Sequence, residues 1–300
     1  MGPVAERTIA EPVWRLDDEA AAGVRSVISA ATRADGVSPM SEQAMLRLSE
    51  PDSVEHFIVE RDRVLVGYAQ LDPETASAEL VVHPDRRRLG AGRALVVALV
   101  AATSRPPLRI WAHGDLAAAA GLAASAGFSR VRSLWQMARP LTEVPAEPHF
   151  PSGVVVDTFV PGLDDDEWVR LNARAFADHP EQGRMTVADL QQRMAQPWFD
   201  PAGFFVARRA AGMVGYHWTK VHDDMIGEVY VLGIDPAEQR SGLGRALTLV
   251  GLHHLRDAGL DTVMLYVESD NHAAVGLYTS LGFSRTAVDV MYAATPGPVS

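Results

Sequence analysis

Two stretches of this chain repeat each other in order and spacing, and that repeat limits the possible fold more than any other feature. HPDRRRLGAGRAL occupies residues 83–95 and DPAEQRSGLGRAL residues 235–247. Pro84 meets Pro236, Gly90 meets Gly242, Gly92 meets Gly244, and Arg93-Ala94-Leu95 meets Arg245-Ala246-Leu247, all 152 residues apart. GFSR recurs at Gly127–Arg130 and Gly282–Arg285, 155 apart, and VGY at Val66–Tyr68 and Val214–Tyr216, 148 apart. Three matches in one order, with drifts that loops absorb, mean that a unit of about 150 residues is present twice. A unit of that length is a domain, far longer than a solenoid repeat. The stretch RPLTEVPAEPHFPSG at 139–153 is rich in Pro and acid and has neither helical nor strand period, so residues 141–152 are expected to be a linker between domains at 1–140 and 153–300.

Each copy has the same order of elements. An extended stretch (Val13–Leu16; Val154–Phe159) precedes two amphipathic helices, Asp17–Thr32 and Ser41–Leu48 in the first copy, Asp164–Phe176 and Thr186–Ala195 in the second. A hairpin of β-branched and aromatic residues follows, FIVERDRVLVGYAQL or FFVARRAAGMVGYHW. An apolar strand (AELVVHP; GEVYVLGIDP) runs into the Gly-rich turn and a helix, Arg88–Ala102 or Gly242–Ala258. A buried strand (LRIWAH; TVMLYVE), a further helix (Leu116–Ala126; His272–Leu281) and a closing hairpin after GFSR complete the copy. Strands and helices alternating around a central strand–turn–helix make this an α/β protein.

Two cores of this kind fit the composition, which is 47% hydrophobic and 22% charged over 300 residues. The longest apolar run, Ala94 to Ala102, is far below the ~20 residues of a membrane-spanning helix. The N-terminus lacks the apolar segment of a signal peptide, and Glu6 stands where a myristoylation signal needs Ser or Thr. With no cysteine there is no disulfide framework and no thiolate nucleophile; a cytoplasmic location is expected. No cluster of His and acids has ligand spacing: His253 and His254 are adjacent and do not share a helix face, and His222-Asp223-Asp224 reads as a turn, so no metal is expected. The net charge of −11 argues against nucleic acid as a partner. Against that acidic background, Arg86, Arg87, Arg88, Arg93, Arg240 and Arg245 gather at the two Gly-rich turns, which suggests a small anionic ligand held there.

A strand that ends at Pro and passes through Gly-x-Gly into a helix leaves backbone N–H groups pointing out of the helix start. Glycine lets a ligand approach them closely, the helix end carries partial positive charge, and together they form a phosphate seat. Gly-x-Gly alone also fits a plain helix cap. The Walker loop needs Gly-Lys-Ser/Thr, which neither copy has, and the dinucleotide fingerprint needs a third glycine that is missing from Arg93-Ala94-Leu95 and Arg245-Ala246-Leu247.

The pattern P-x-x-(R/Q)-x-x-G-x-G-x-A-L followed by N-x-x-A-x-x-L-Y-x-x-x-G-F resembles the GNAT superfamily of acetyl-CoA-dependent N-acetyltransferases. The second copy carries both halves, Gln239-Arg240-Ser241-Gly242-Leu243-Gly244 and Asn271 through Tyr278 with Gly282-Phe283. Two tandem copies with HPEQG at His179–Gly183 resemble, more narrowly, the mycothiol synthase family. The resemblance implies two GNAT domains, each a mixed, mostly antiparallel sheet flanked by helices. It implies acetyl-CoA as co-substrate and, as acceptor, the cysteinyl amine of a cysteine–glucosamine–inositol conjugate. An acetyltransferase for an aminoglycoside or peptide amine, or an acyl-CoA sensor without catalysis, remain the alternatives. Two pseudo-symmetric copies in one chain make a monomer the expectation.

Amide formation from a thioester needs a neutral amine, a held oxyanion and a stabilised thiolate. An α-amine of pKa ~7.7–8.0 loses its proton with modest help; the resemblance places the base at Glu228, on the central strand. Tyr278, a phenol of pKa ~10, faces a thiolate of pKa ~8.5 and either protonates or hydrogen-bonds it. It follows Asn271 by two helical turns, on one face. The resemblance further implies an oxyanion held by a backbone N–H near a bulge around Leu232, Gly233 and Ile234, whose backbone should also bond the pantetheine arm. Gln239 to Arg245 and Asn271, His272, Ala273, Ala274, Val275 and Gly276 complete the cofactor seat. Lys220, Glu228 and Tyr266 are expected in the acceptor cleft, with Asp178 and Glu181 from the HPEQG loop and Asp35 from the first copy; these three loop acids are equally readable as ordinary loop polarity. The first copy keeps a strand, Leu80-Val81-Val82, and a seat, Arg88-Leu89-Gly90-Ala91-Gly92-Arg93. At the repeat offsets, Glu228 falls on Ala76, Tyr278 on Ala123, Asn271 on Leu116 and Tyr266 on Trp111. The first copy is therefore expected to bind acetyl-CoA without catalysing.

Overall fold

A computed structural model describes residues 8–49, 54–143, 145–179, 182–222 and 225–294. By contacts the chain forms two compact units, one of residues through Leu134 together with the segment from Ala287, the other of Trp135–Thr286. The expected ranges, 1–140 and 153–300, differ from these at the ends of two strands. Strand pairing over such separations leaves no trace in local sequence.

The first unit contains β1 (Glu11–Val13), α1 (Asp18–Asp35), α2 (Glu42–Leu46), β2 (Glu55–Arg61), β3 (Val64–Asp72), β4 (Ser77–Val82), α3 (Ala91–Ala102), β5 (Arg109–Ala112), α4 (Ala117–Ser125) and the start of β6 (Phe128–Pro140). The second contains the rest of β6, β7 (Val155–Thr158), α5 (Asp165–Ala175), α6 (Val187–Met194), β8 (Phe204–Arg209), β9 (Gly212–Val221), β10 (Gly227–Ile234), α7 (Leu243–Asp257), β11 (Thr262–Glu268), α8 (His272–Ser280) and the start of β12 (Ser284–Ala294). Within the first unit the strand order is β1-β2-β3-β4-β5-β12, and within the second β6-β11-β10-β9-β8-β7. Each is antiparallel at the hairpins and parallel at β4–β5 or β10–β11. The segment after each GFSR is one long strand and not the expected hairpin: β6 and β12 run unbroken over 13 and 11 residues. Beside β5 lies the part of β12 after Ala287, with Val290 opposite Ala112 and Ala293 opposite Arg109.

The helix starts follow their caps. The Asp17 carboxylate accepts from the Ala20 N–H, Ser41 Oγ from the Ala44 N–H, and Thr186 with Asp189 forms a reciprocal capping box. The apolar faces then bury against the sheets. In the second unit α5 and α6 cover one face through an aromatic cluster, Trp168, Phe204, Tyr216 and Trp218. The other face packs α7 and α8 through Leu249, Leu252, Val263, Leu265 and Tyr278. No helix among the described residues is long and apolar enough to cross a membrane.

Candidate active site

β10 is where the two units part. The β3–β4 ladder runs without interruption from Asp72↔Ser77 to Gly67↔Val82. The β9–β10 ladder breaks between Val229, opposite Thr219, and Val231, opposite Trp218, leaving Tyr230 as an extra residue. A bulge turns neighbouring residues to one face and bends the strand. Packing agrees: Val229 joins the α7–α8 core, whereas Tyr230 and Val231 both lie against the aromatic cluster. The expected position, Leu232–Ile234, is in regular register with His217, Tyr216 and Gly215; the bulge falls two residues earlier. The added residue also displaces the repeat alignment. In the ladders Glu228, opposite Lys220, corresponds to Ser77, opposite Asp72, and not to Ala76.

Beyond the bulge β10 leaves β11. Their parallel ladder covers Gly227↔Val263, Glu228↔Met264 and Val229↔Leu265 and stops there, although β10 continues to Ile234 and β11 to Glu268. Glu228 thus sits at the point where two parallel strands open. Its side chain and that of Lys220 are buried. The Lys220 ammonium lies 4.6 Å from the Trp198 ring centroid and 5.3 Å from that of Tyr230, close enough for cation–π attraction. Side chains alternate along a strand, so Tyr266, two residues past Met264, shares the face of Glu228 and Lys220; it is half-exposed. One contact was not legible in sequence: His222 Nε2 stands 2.7 Å from Glu228 Oε2. The signal is the β9–β10 hairpin itself, since His222 lies two residues past Lys220 and so diagonally across from Glu228.

Tyr278 lies on the other face of this strand pair, buried in the α7–α8 core with its ring 5.7 Å from Phe283. Burial alone pushes its hydroxyl well above the ordinary phenol range, so the group stays protonated. Asn271 is the N-cap of α8: its Oδ1 accepts from the Ala274 N–H at 3.1 Å. It therefore starts the helix on which His272, Ala273, Ala274, Val275, Gly276 and Tyr278 ride, and is not itself a member of that helix.

The two Gly-rich turns are superimposable in their backbone angles. Arg88 and Arg240 have φ of 63° and 62°, and Gly90 and Gly242 of 95° and 91°. The left-handed region favours glycine. Neither α3 nor α7 has a side-chain cap at its N-cap glycine; in α7 the Leu243 N–H donates to Ser241 Oγ at 3.3 Å, and the other first-turn N–H groups have no partner within the helix. Gly244 packs near Ile234 and Leu277, and Arg245 donates to Ser280 Oγ at 2.9 Å.

In the first unit a cleft of about 890 Å³ opens beside this turn, lined among others by Leu80, Val81, Val82, Arg88, Gly92 and Arg93. Gly90 lines it too; Leu89 is exposed, and Ala91 is in the core. Asp35 lines the cleft as well, its carboxylate bonded by Arg87 at 2.8 and 2.6 Å. His113, also on the wall, pairs through Nδ1 with Asp289 at 3.0 Å and faces Glu79 at 3.7 Å. Burial disfavours its charge, but the bond to Asp289 and the nearby Glu79 carboxylate outweigh that and push the imidazole up to about 10. Glu79 also accepts from the Ser41 N–H at 2.6 Å. This cluster was invisible in sequence because Asp289 is 176 residues from His113.

Of the HPEQG loop, Asp178 is exposed and Glu181 lies outside the described residues. The loop is tied to α5 by Asn172, whose Nδ2 donates to the Gln182 carbonyl at 2.7 Å and whose Oδ1 accepts from Gln182 and Tyr216. Among the described residues no three His or acidic side chains are grouped to hold a metal ion.

The sequence matches two family models: residues 167–283 the Acetyltransferase (GNAT) family, and residues 52–130 the Acetyltransferase (GNAT) domain. A mycothiol acetyltransferase of Thermomonospora curvata is 57% identical over 94% of this chain and 96% of its own length. One of Catenulispora acidiphila is 52% identical over 93% and 97%. Among solved structures, a GCN5-related N-acetyltransferase from Sphaerobacter thermophilus aligns over 97% of both chains with TM-score 0.70 and 23% identity. A tandem GNAT protein from the clavulanic acid biosynthesis pathway aligns over 97% of this chain and 100% of its own with TM-score 0.71 and 19% identity. At those identities the structural matches speak for the fold.

Proposed function

Since the chain belongs to the GNAT acetyltransferases and, among them, to the mycothiol acetyltransferases, we propose that its second unit transfers acetyl from acetyl-CoA to the cysteinyl amine of a cysteine–glucosamine–inositol conjugate, acting as a monomer. The observation that carries the assignment to this unit is the buried Glu228 at the opening of β10 from β11, where the first unit has Ser77.

In this reading the coenzyme's pyrophosphate rests on the N–H groups of the turn from Gln239 to Arg245, beside the start of α8. Its pantetheine arm runs along Leu232–Ile234, where β10 has no ladder partner on the β11 side. Backbone groups left unpaired in a strand are strong ligand contacts. The thioester enters the opening, with Glu228 toward one face of the sheet and Tyr278 toward the other. The Glu228 carboxylate takes a proton from the substrate ammonium, directly or through a water, and the amine attacks the thioester carbon. The oxyanion takes a backbone N–H of the bulged stretch. Collapse breaks the carbon–sulfur bond, the nitrogen sheds its second proton to water as the neutral amide forms, and coenzyme A leaves as the thiolate. Because burial holds the Tyr278 phenol above its ordinary range, full proton transfer from it to a thiolate of pKa ~8.5 is uphill; its part is a hydrogen bond to the departing sulfur. Lys220 and Tyr266 border the acceptor on the Glu228 face, with Asp178 and Glu181 the further candidates. The first unit's cleft is a second acetyl-CoA seat that lacks a base at the matching position.

The test is release of free thiol from acetyl-CoA in the presence of the cysteinyl conjugate, its parent lacking the cysteine, or an aminoglycoside. Release with the conjugate alone is expected. Equal release with the aminoglycoside would overturn the substrate, and no release with any of them would overturn the activity.

A further inference from the structure

We propose that His222 is a positioning residue for this reaction: its Nε2–H holds Glu228 Oε2, fixing the buried carboxylate with its other oxygen turned to the amine. The proposal rests on the reading of Glu228 as the base.

The Glu228 side chain is 6% exposed and that of His222 32%. A carboxylate so enclosed has lost most of its hydration, and a donor to the charged form is what offsets that loss. Among the described residues His222 is its sole hydrogen-bond partner, at 2.7 Å. Among the described residues the second oxygen, Oε1, has no hydrogen-bond partner. One oxygen is therefore anchored and the other is left for the substrate. The anchor is itself fixed, because the turn after β9 is closed by the His222 N–H to the Ile226 carbonyl at 2.9 Å and the Met225 N–H to the His222 carbonyl at 3.0 Å. The charged and titratable groups around it are Lys220 on β9, Tyr230 on β10 with Arg193 of α6 donating to its hydroxyl, and Tyr266 and Glu268 on the matching face of β11. Asp223 and Asp224 lie outside the described residues.

Removing the donor releases the carboxylate from the position in which it reaches the amine, so kcat falls while coenzyme binding is untouched. His222→Leu, His222→Gln, Glu228→Gln and the wild type are compared in steady state, with kcat and the KM for acetyl-CoA read separately and thermal melting as the check on folding. His222→Leu is expected to lose roughly ten- to hundred-fold in kcat, as for a small misplacement of a catalytic group, with the KM for acetyl-CoA unchanged. The amide N–H of His222→Gln reaches the same oxygen and restores most of kcat. Wild-type kinetics in His222→Leu, with Glu228→Gln impaired, would overturn the proposal alone. A Gln variant no better than the Leu variant would overturn the donor role. A fully active Glu228→Gln would overturn the base assignment on which both stand.

Discussion

Tyr278→Phe separates chemistry from packing at one atom. The ring is buried in the α7–α8 core and keeps its edge contact with Phe283 when the oxygen is removed. Among the described residues the hydroxyl has no hydrogen-bond partner, burial being the only influence on it, so its loss leaves no orphaned group behind. Unfolding free energy is therefore expected to stay within about 0.5 kcal/mol of wild type. The lost interaction is a hydrogen bond to a charged sulfur, about 1.5–3 kcal/mol. At 1.36 kcal/mol per decade that is roughly a 10- to 150-fold fall in kcat. Thiol release under saturating acetyl-CoA and amine reads kcat, and urea unfolding reads stability. A variant with wild-type kcat would refute the thiolate role. A variant that lost stability and activity in proportion would mean that the hydroxyl is structural.

Two further perturbations act on the scaffold. His113 in the first unit has an imidazole raised to about 10 by Asp289 and Glu79; its ordinary value is about 6.5. A base whose folded pKa is raised contributes stability that is complete below about pH 6.5 and fades as pH climbs through about 10. Melting temperature should fall across that window in the wild type, and the fall should shrink in His113→Gln; an unchanged profile in the variant would contradict the ion cluster. A Cβ on Gly251 would clash with His217 Cε1, and His217 is itself fully buried and bonded to the Leu247 carbonyl at 2.7 Å. Gly251→Ala should destabilise by ~1–3 kcal/mol through overpacking of α7 on β9, measured by urea unfolding; no loss would mean that the helix yields more readily than its contacts imply.

Local chemistry was legible in the sequence, and non-local pairing was not. Asp17, Ser41 and Thr186 announce helix starts because their oxygens satisfy N–H groups three residues on. The duplicated Gly-rich turn was readable because left-handed backbone at Gly90 and Gly242 demands glycine in both copies. The bulge at Tyr230 was displaced in the reading because an inserted residue alters a register that only the partner strand defines. Its effect reached the repeat comparison, moving the counterpart of Glu228 from Ala76 to Ser77. The strand after each GFSR read as a hairpin because nothing in β6 or β12 names its partners. His113–Asp289 and His222–Glu228 were missed for the same reason, one contact joining opposite ends of the chain and the other crossing a hairpin whose register was unknown. Asn271 was read as a face residue of the helix that it caps, since an N-cap and a helical residue differ in backbone angles and not in spacing.

The claim that chemistry belongs to one unit is tested most directly by neutralising one carboxylate on each of the two parallel-paired strands. Among the described residues Glu228 on β10 is bonded to His222 alone, whereas Glu79 on β4 is engaged by the Ser41 N–H beside His113. Single-turnover acetyl transfer is measured in Glu228→Gln and Glu79→Gln side by side. Glu228→Gln should be slower by roughly 10²–10⁴-fold with acetyl-CoA binding intact, and Glu79→Gln should transfer at close to the wild-type rate. Transfer that survives the first substitution and stops with the second would place the reaction in the other unit and contradict the account.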